Sequence, residues 1–497
     1  MNPLAKVLPK NNANVISMTY VDDLAIVVRS KSQKLAESNL QALITDAHTW
    51  ASNTGMKFSE TKTICVHFCK KRKKHPPPKL YLGNKLLDVK STVKFLGVIF
   101  DEKLTFKQHI AETKINCQKR INLLKVVAAK GRGATKDMLL MLYRALIRPK
   151  LDFGAEVYAT GPRDAIRSLN TIQTQSLRIA LGAGFRSPRT SLQILSEEPP
   201  IQWRFRMLSM KFFIRAYANI SNPTCSTMDI DKYSLINNRY PSYTAPMHHR
   251  LRKDFSDAGI DLKIIWKQIN PFITDPGLNN KAPWRCSALH VDTSLKCYNK
   301  DQHTPEVIIT AFKLILSTKD SSIKIYTDGS KSEHSTSAAY YANGVSRGFR
   351  LHKAASIFTA EATAILKAIQ YAIQLEGNSE VTICSDSLSV LNCLETGNFT
   401  NPVLQQIRGT LNNCENIIFS FIWIPSHIGI KGNEAADKAA RIALENDVME
   451  NDTLPFKDFM PIVKKFILDK WKSEWPEEVS TAKLRASCFG MPRIVYT

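Results

Sequence analysis

Between residues 321 and 445, short β-prone runs alternate with helical patterns, and one mixed sheet with flanking helices satisfies such an order. Strands are expected at 323–327, within 338–352, at 381–384 and at 417–424. Helices are expected at 359–375, 387–395 and 432–445. Four acids mark the ends of these elements. Asp328 follows directly on the first strand, Glu361 opens the first helix, Asp386 ends the 381–384 strand, and Asp437 lies one turn into the last helix. Strand ends and first helical turns project into the crevice of an α/β sheet, where sites form.

Four carboxylates converging on one crevice repel each other unless cations neutralise them, and hard oxygen ligands suit Mg²⁺ or Mn²⁺. A pair of such ions about 3.5–4 Å apart activates water and stabilises the leaving oxygen of a phosphodiester. Taken singly, each acid has a plainer explanation: a turn former at Asp328, helix N-terminal charges at Glu361 and Asp437, a helix cap at Asp386. The four together in this order point to metal-dependent phosphodiester chemistry.

The charge balance points the same way. The chain has 497 residues, with 68 Lys and Arg against 44 Asp and Glu, a formal net charge of +24. Such an excess favours a polyanionic partner, most commonly nucleic acid, over a merely basic protein. It is unevenly placed: residues 1–320 hold 50 basic and 25 acidic side chains (+25), 321–445 hold 10 and 11 (−1), and 446–497 hold 8 of each. The length suits about three domains, and 44% hydrophobic residues argue against wholesale disorder.

The first residues lack a signal-peptide core, and the apolar stretch 417–424 is far short of the roughly 20 residues that span a bilayer. An intracellular protein, neither secreted nor membrane-bound, is expected. Ten cysteines form no CxxC pair, so neither a disulfide framework nor a standard zinc site is indicated. The nearest ligand cluster is Cys65, His67, Cys69 and His75. A strand-like run at 63–68 would set the first three on one face, and reduced strand cysteines are expected there.

Residues 321–445 resemble a type 1 ribonuclease H domain. The matching pieces are Thr327-Asp328-Gly329-Ser330, the helix with Ala360-Glu361, Ser385-Asp386-Ser387, and Trp423-Ile424-Pro425-Ser426-His427 followed by Gly432-Asn433-Glu434-Ala435-Ala436-Asp437. The resemblance implies a ribonuclease H-like α/β fold and cleavage of the RNA strand of an RNA–DNA hybrid. It implies that Asp328, Glu361, Asp386 and Asp437 bind two Mg²⁺, with Mn²⁺ as a substitute. It further implies that His427, on a mobile loop, helps protonate the leaving group or release product. Gly329, Ser330, Ser387 and Asn433 would contact the substrate, whose 2′-OH distinguishes RNA from DNA.

Near the N-terminus, β-prone runs at 15–20 and 24–28 flank Val21-Asp22-Asp23, a hairpin with two acids at its tip. Adjacent acids at a tight turn repel, which a phosphate-bound metal would offset; a surface turn also accommodates Asp. A helical pattern follows at about 34–52, with Leu35, Leu40, Leu43, Ile44 and Ala47 on one side. Residues 70–74 (Lys-Lys-Arg-Lys-Lys) with Pro76, Pro77 and Pro78 read as a solvated loop, a phosphate contact or a nuclear-import signal.

Tyr20-Val21-Asp22-Asp23 resembles the metal-binding hairpin of reverse transcriptases. Gly55-Met56-Lys57-Phe58-Ser59-Glu60-Thr61-Lys62-Thr63 and Phe95-Leu96-Gly97-Val98-Ile99-Phe100-Asp101 are similar to the later palm motifs of non-LTR retrotransposon polymerases, which also precede a ribonuclease H domain. In that family another metal-binding Asp, the fingers and most of the palm lie upstream, whereas 19 residues precede Tyr20. A truncated element that does not polymerise DNA alone is therefore expected.

The expected organisation is a partial α+β reverse-transcriptase palm at 1–110, a mostly helical thumb or connection at 111–220, and an irregular, proline-bearing linker at 221–305. A ribonuclease H domain at 306–445 and an extension at 446–497 complete it. The expected function is an RNA–DNA hybrid ribonuclease whose partners are the hybrid and an RNA template. The alternatives are a non-catalytic nucleic-acid-binding remnant and one piece of an active RNA-directed DNA polymerase.

Overall fold

The computed structural model describes residues 4–8, 14–69, 75–129, 133–219, 222, 247–267, 289, 291–299, 302–375, 380–397, 401–414, 416–446, 449 and 453–475. They fall into two compact units, one within 1–213, 223–253 and 464–497, the other within 214–222 and 254–463.

In the first unit, β1 (Val15–Tyr20) pairs antiparallel with β2 (Asp23–Val28), and Tyr20 stands opposite Asp23. The turn is therefore Val21-Asp22, with Val21 at φ +54°, a region β-branched residues seldom adopt. Asp23 opens β2 rather than sitting at the tip. The helix Gln33–Asn53 buries Ala47 against Leu24 and Ile26, and Leu40 and Ile44 against Leu80, Leu82 and Leu87. These two small cores do not reach Leu35, which is exposed although the helical period placed it on the inner side.

The remaining strands of this region are short. They are β3 (Ile64–Cys65) with β6 (Asp88–Val89), β4 (Tyr81–Leu82) with β5 (Lys85–Leu86), and β7 (Thr92–Phe95) with β8 (Val98–Asp101). Because β3 stops at Cys65, no strand face carries Cys65, His67 and Cys69 together. These cysteines are free, and no His/Cys cluster of metal-binding geometry occurs among the described residues. Residues 70–74 lie outside the described residues.

From Lys107 the unit is helical. Helices Lys107–Val127, Arg163–Leu181 and their neighbours close over Ile121, Tyr143, Tyr158 and Leu169. Glu198 is buried in this basic region and accepts from Arg144 Nε at 2.7 Å and Arg148 Nη1 at 3.0 Å. Arg204 forks onto Asp152, with the closer contact at 2.6 Å. A carboxylate removed from water needs such guanidinium partners to keep its charge.

The second unit holds six strands: β9 (Val291–Asp292), β10 (Ile323–Lys331), β11 (Thr336–Ala342), β12 (Val345–Leu351), β13 (Glu380–Ser385) and β14 (Ile418–Trp423). Their order is β12-β11-β10-β13-β14-β9. The β12-β11-β10 pairs are antiparallel and the rest parallel, so the sheet is mixed, as the alternating pattern implied. Helix Ile357–Gln374 packs Ala362, Ile365, Ala368, Ile369 and Ala372 over Ile325, Ile383, Val381 and Phe421. Its run of alanines lets the helix axis approach the sheet closely, which keeps the core dense.

Several expectations are corrected here. β10 does not stop before Asp328 but continues to Lys331, because Gly329, Ser330 and Lys331 pair with Ala338, Ser337 and Thr336. The 221–305 segment is not linker throughout: it contains helix Met247–Asp257, and β9 joins the sheet beside β14. Two residues are too few to show a period of two. Helix Pro402–Asn412 was also hidden; Asn401 caps it by accepting from Val403 N–H, and it buries Val403, Leu404 and Ile407. Helix Phe459–Ser473 follows Lys431–Ala443, so Asp437 is not on the last helix. Among the described residues no helix is long and apolar enough to cross a membrane.

Candidate active site

Strand register brings the first two acids together. Thr327 pairs with Ser385 across the parallel β10–β13 ladder, so Asp328 and Asp386, each one residue further on, emerge side by side. Glu361 comes from the second turn of helix Ile357–Gln374, not its first residue. Gly329 makes this approach possible: a Cβ there would lie 2.8 Å from Glu361 N and 3.0 Å from Ala360 Cβ. Carboxylate oxygens of Asp328, Glu361 and Asp386 lie within 4.8 Å of one another.

Both Asp328 and Glu361 are 8% exposed, and Glu361 Oε2 is buried without a hydrogen-bond partner. Burial, then the charges of Asp386 and Asp437, push the Asp328 carboxyl up to about 7. Burial, then Asp328 and Asp386, raise Glu361 well above the usual carboxylate range. Asp386 is also raised, chiefly by burial, although a hydrogen bond from Asn433 and the nearby His427 oppose this. Three clustered acids, one with an unpartnered buried oxygen, suit a hard divalent cation better than any neutral ligand.

Asp437 stands just outside this triad. Its Oδ1 accepts from Arg441 Nε at 2.9 Å, the ordinary i,i+4 helical pairing, while its charge still acts on Asp328 and Asp386. Of the four acids, Asp328, Glu361 and Asp386 form the tight cluster, and Asp437 acts on it through its charge. Asn433 lies four residues before Asp437 on the same helical face. It is buried, its Oδ1 has no partner, and so its amide N–H faces Asp386. A Cβ at Gly432 would meet the Tyr326 ring at 2.3 Å, so glycine there lets the helix start against β10.

His427 is exposed on a turn, at φ +54°. Ser330 and Ser387 are half-buried beside the acids, and Ser387 N–H donates to Ser385 Oγ at 3.2 Å. Two further contacts escaped sequence reasoning. Trp423 Nε1 donates to the Asp386 backbone oxygen at 3.1 Å, fixing the strand end that carries this acid. Asp458, buried, accepts from Ser356 Oγ at 2.7 Å, and Ser356 is the N-cap of the helix bearing Glu361. Trp423 had a signal in its place just ahead of the His427 loop; Asp458 had none.

Tyr20, Asp22 and Asp23 remain at the exposed N-terminal hairpin. Among the described residues, no third His, Cys, Asp or Glu joins them in metal-binding geometry.

Residues 320–445 match the RNase H family. The chain is 23% identical over 202 residues to the RNA-directed DNA polymerase from mobile element jockey of Drosophila melanogaster, covering 41% of this chain and 22% of that protein. It is 24% identical over 192 residues to the retrovirus-related Pol polyprotein from type-1 retrotransposable element R1 of Bradysia coprophila, covering 38% and 19%. A stretch of 133 residues is 35% identical to the Pol polyprotein of equine infectious anemia virus, covering 25% and 11%. The chain thus spans about a fifth of the length of the retrotransposon relatives it matches. Residues 320–445 are a ribonuclease H domain, and the N-terminal half is homologous to the RNA-directed DNA polymerases of non-LTR retrotransposons.

Proposed function

We propose that this chain, which carries a ribonuclease H domain at 320–445, cleaves the RNA strand of an RNA–DNA hybrid. The observation that carries the reading is the convergence of Asp328, Glu361 and Asp386 from two strands and a helix into one buried acidic cluster. These three, with Asp437 adjacent, would hold two divalent ions, Mg²⁺ by the hardness of the oxygen donors. Bound there, the ions supply an activated water and a counter-charge for the leaving oxygen.

The chain's own groups do the rest. Asn433 holds the Asp386 carboxylate in place, and Trp423 holds its backbone. Asp437 adds a fourth negative charge that keeps the crevice selective for cations. His427, exposed on its turn and close enough to influence Asp386, donates the proton to the leaving oxygen. Gly329, Ser330 and Ser387 line the approach and meet the sugar-phosphate backbone, where the 2′-OH marks the strand to be cut.

The test is a labelled RNA–DNA hybrid incubated with the full chain and Mg²⁺, wild type beside Asp386→Asn. Cleavage confined to RNA and lost in the variant supports the reading; equal activity in the variant overturns it. The exposed Tyr20–Asp23 hairpin favours a second reading, that the N-terminal half belongs to an RNA-directed DNA polymerase. Primer extension on an RNA template that vanishes in Asp22→Asn would support it, and no extension would count against it.

A further inference from the structure

Helix Arg163–Leu181 ends on Gly182 in the left-handed region, and the chain turns through Gly184, Phe185 and Arg186 before helix Arg189–Ser196. The loop is tied internally. Ala183 N–H donates to Arg178 O at 2.9 Å, Ser187 N–H to Gly184 O at 3.1 Å, and Arg178 Nη2 to Ser187 O at 3.3 Å. On this tied loop Phe185 is 88% exposed, with the Arg178 guanidinium 5.4 Å from its ring centroid. Arg186 and Arg189 are exposed beside it.

The stretch of sequence that carries the loop has one sign of charge. Between Asp164 and Glu197 the sequence holds Arg167, Arg178, Arg186 and Arg189 and no acid. An ordered loop that keeps a phenyl ring in water forgoes the burial such a ring ordinarily gains. A partner matched to this ring and these arginines would offer a flat apolar face together with negative charge. An unpaired nucleobase between phosphates has both, and stacking of bases on aromatic rings amid arginines is how single strands are gripped.

We propose that Phe185 stacks on an unpaired base of single-stranded nucleic acid while Arg186 and Arg189 hold the flanking phosphates. This site belongs to the first unit and the acidic cluster to the second, and it does not depend on hybrid cleavage.

The experiment measures binding of the full chain to a fluorescent 20-residue oligothymidylate and to a strand of equal length built from abasic sites. Oligouridylate serves as the RNA arm. Phe185→Ala should weaken binding to the base-bearing strands by about tenfold, while Phe185→Tyr retains it. The same variant should leave binding to the abasic strand unchanged and should not alter the salt slope. Arg186→Gln with Arg189→Gln should flatten that slope by about 0.7 per arginine removed. Unchanged affinity of Phe185→Ala for the base-bearing strands overturns the proposal. So does an equal loss on the abasic strand, which would mean that the ring contacts backbone or protein instead.

Discussion

At the β1–β2 turn and where β10 and β13 pair, two aspartates stand next to each other, but only the second pair is backed by a core of fully buried strand residues. Asp22 and Asp23 project from a two-stranded hairpin in which no residue is fully buried. Asp328 and Asp386 rise from a sheet whose neighbouring strands bury Ile325, Ile383 and Phe421 completely. Water screens the first pair. In the second, desolvation and mutual repulsion hold the same side chains, with Glu361, in a buried acidic cluster of metal-binding geometry.

The widest expected separation between the two regions is in catalysis. Asp386→Asn should lower hybrid cleavage by at least about 10³-fold, while Asp22→Asn with Asp23→Asn leaves it within about twofold. A loss of similar size in both would erase the difference between the two pairs. Stability separates them as well: Ile365→Ala, under the sheet, should cost about 2–5 kcal/mol, against less than about 1 kcal/mol for Val27→Ala in the hairpin. Chemical denaturation of each variant measures this directly.

The cluster also makes a signed prediction about pH. Asp328 titrates near 3.8 when unfolded and at about 7 when folded, so the folded state binds the proton more tightly. The contribution of this carboxyl to the stability of the metal-free protein is fully present below the unfolded value and declines, at about 1.4 kcal/mol per unit, as pH rises towards 7. Thermal melts in chelator should show this decline, Mg²⁺ should reverse it, and Asp328→Asn should flatten it. Identical pH dependence in Asp328→Asn would sink the account. His427→Ala should slow cleavage by about 10²-fold with hybrid affinity retained; a purely weaker affinity would place it in binding instead. A smaller effect than at Ile365 is expected at Asp458→Ala, which loses the tie to Ser356 and should cost about 1–2 kcal/mol of stability, with Asp458→Asn recovering part.

Much of this was legible because the ribonuclease H strands are long enough to show their period and the acids sit beside Gly329, Ser387 and Gly432-Asn433. The parting of Asp437 from the triad was not legible, since it depends on which rotamer reaches Arg441. Nor was Asp458, whose partner Ser356 is 102 residues away in sequence. Helix Pro402–Asn412 keeps the helical period in Val403, Leu404, Ile407 and Leu411, but it is short and Gly409 interrupts it. Leu35 shows the opposite failure: the helical stripe was real, but the small sheet behind it ended too soon.

The two residues of β9 have a consequence for how the molecule behaves among copies of itself. Val291 and Asp292 pair with Phe421 and Ile422 along the outer side of β14. Bare, that side would present unpaired amides and carbonyls next to an apolar row, a template on which another chain can add a strand. A piece cut at residue 306 would keep Asp328, Glu361, Asp386 and Asp437 and uncover that flank. It would be drawn into self-association, because the short strand covers part of a sheet edge that carries none of the clustered acids.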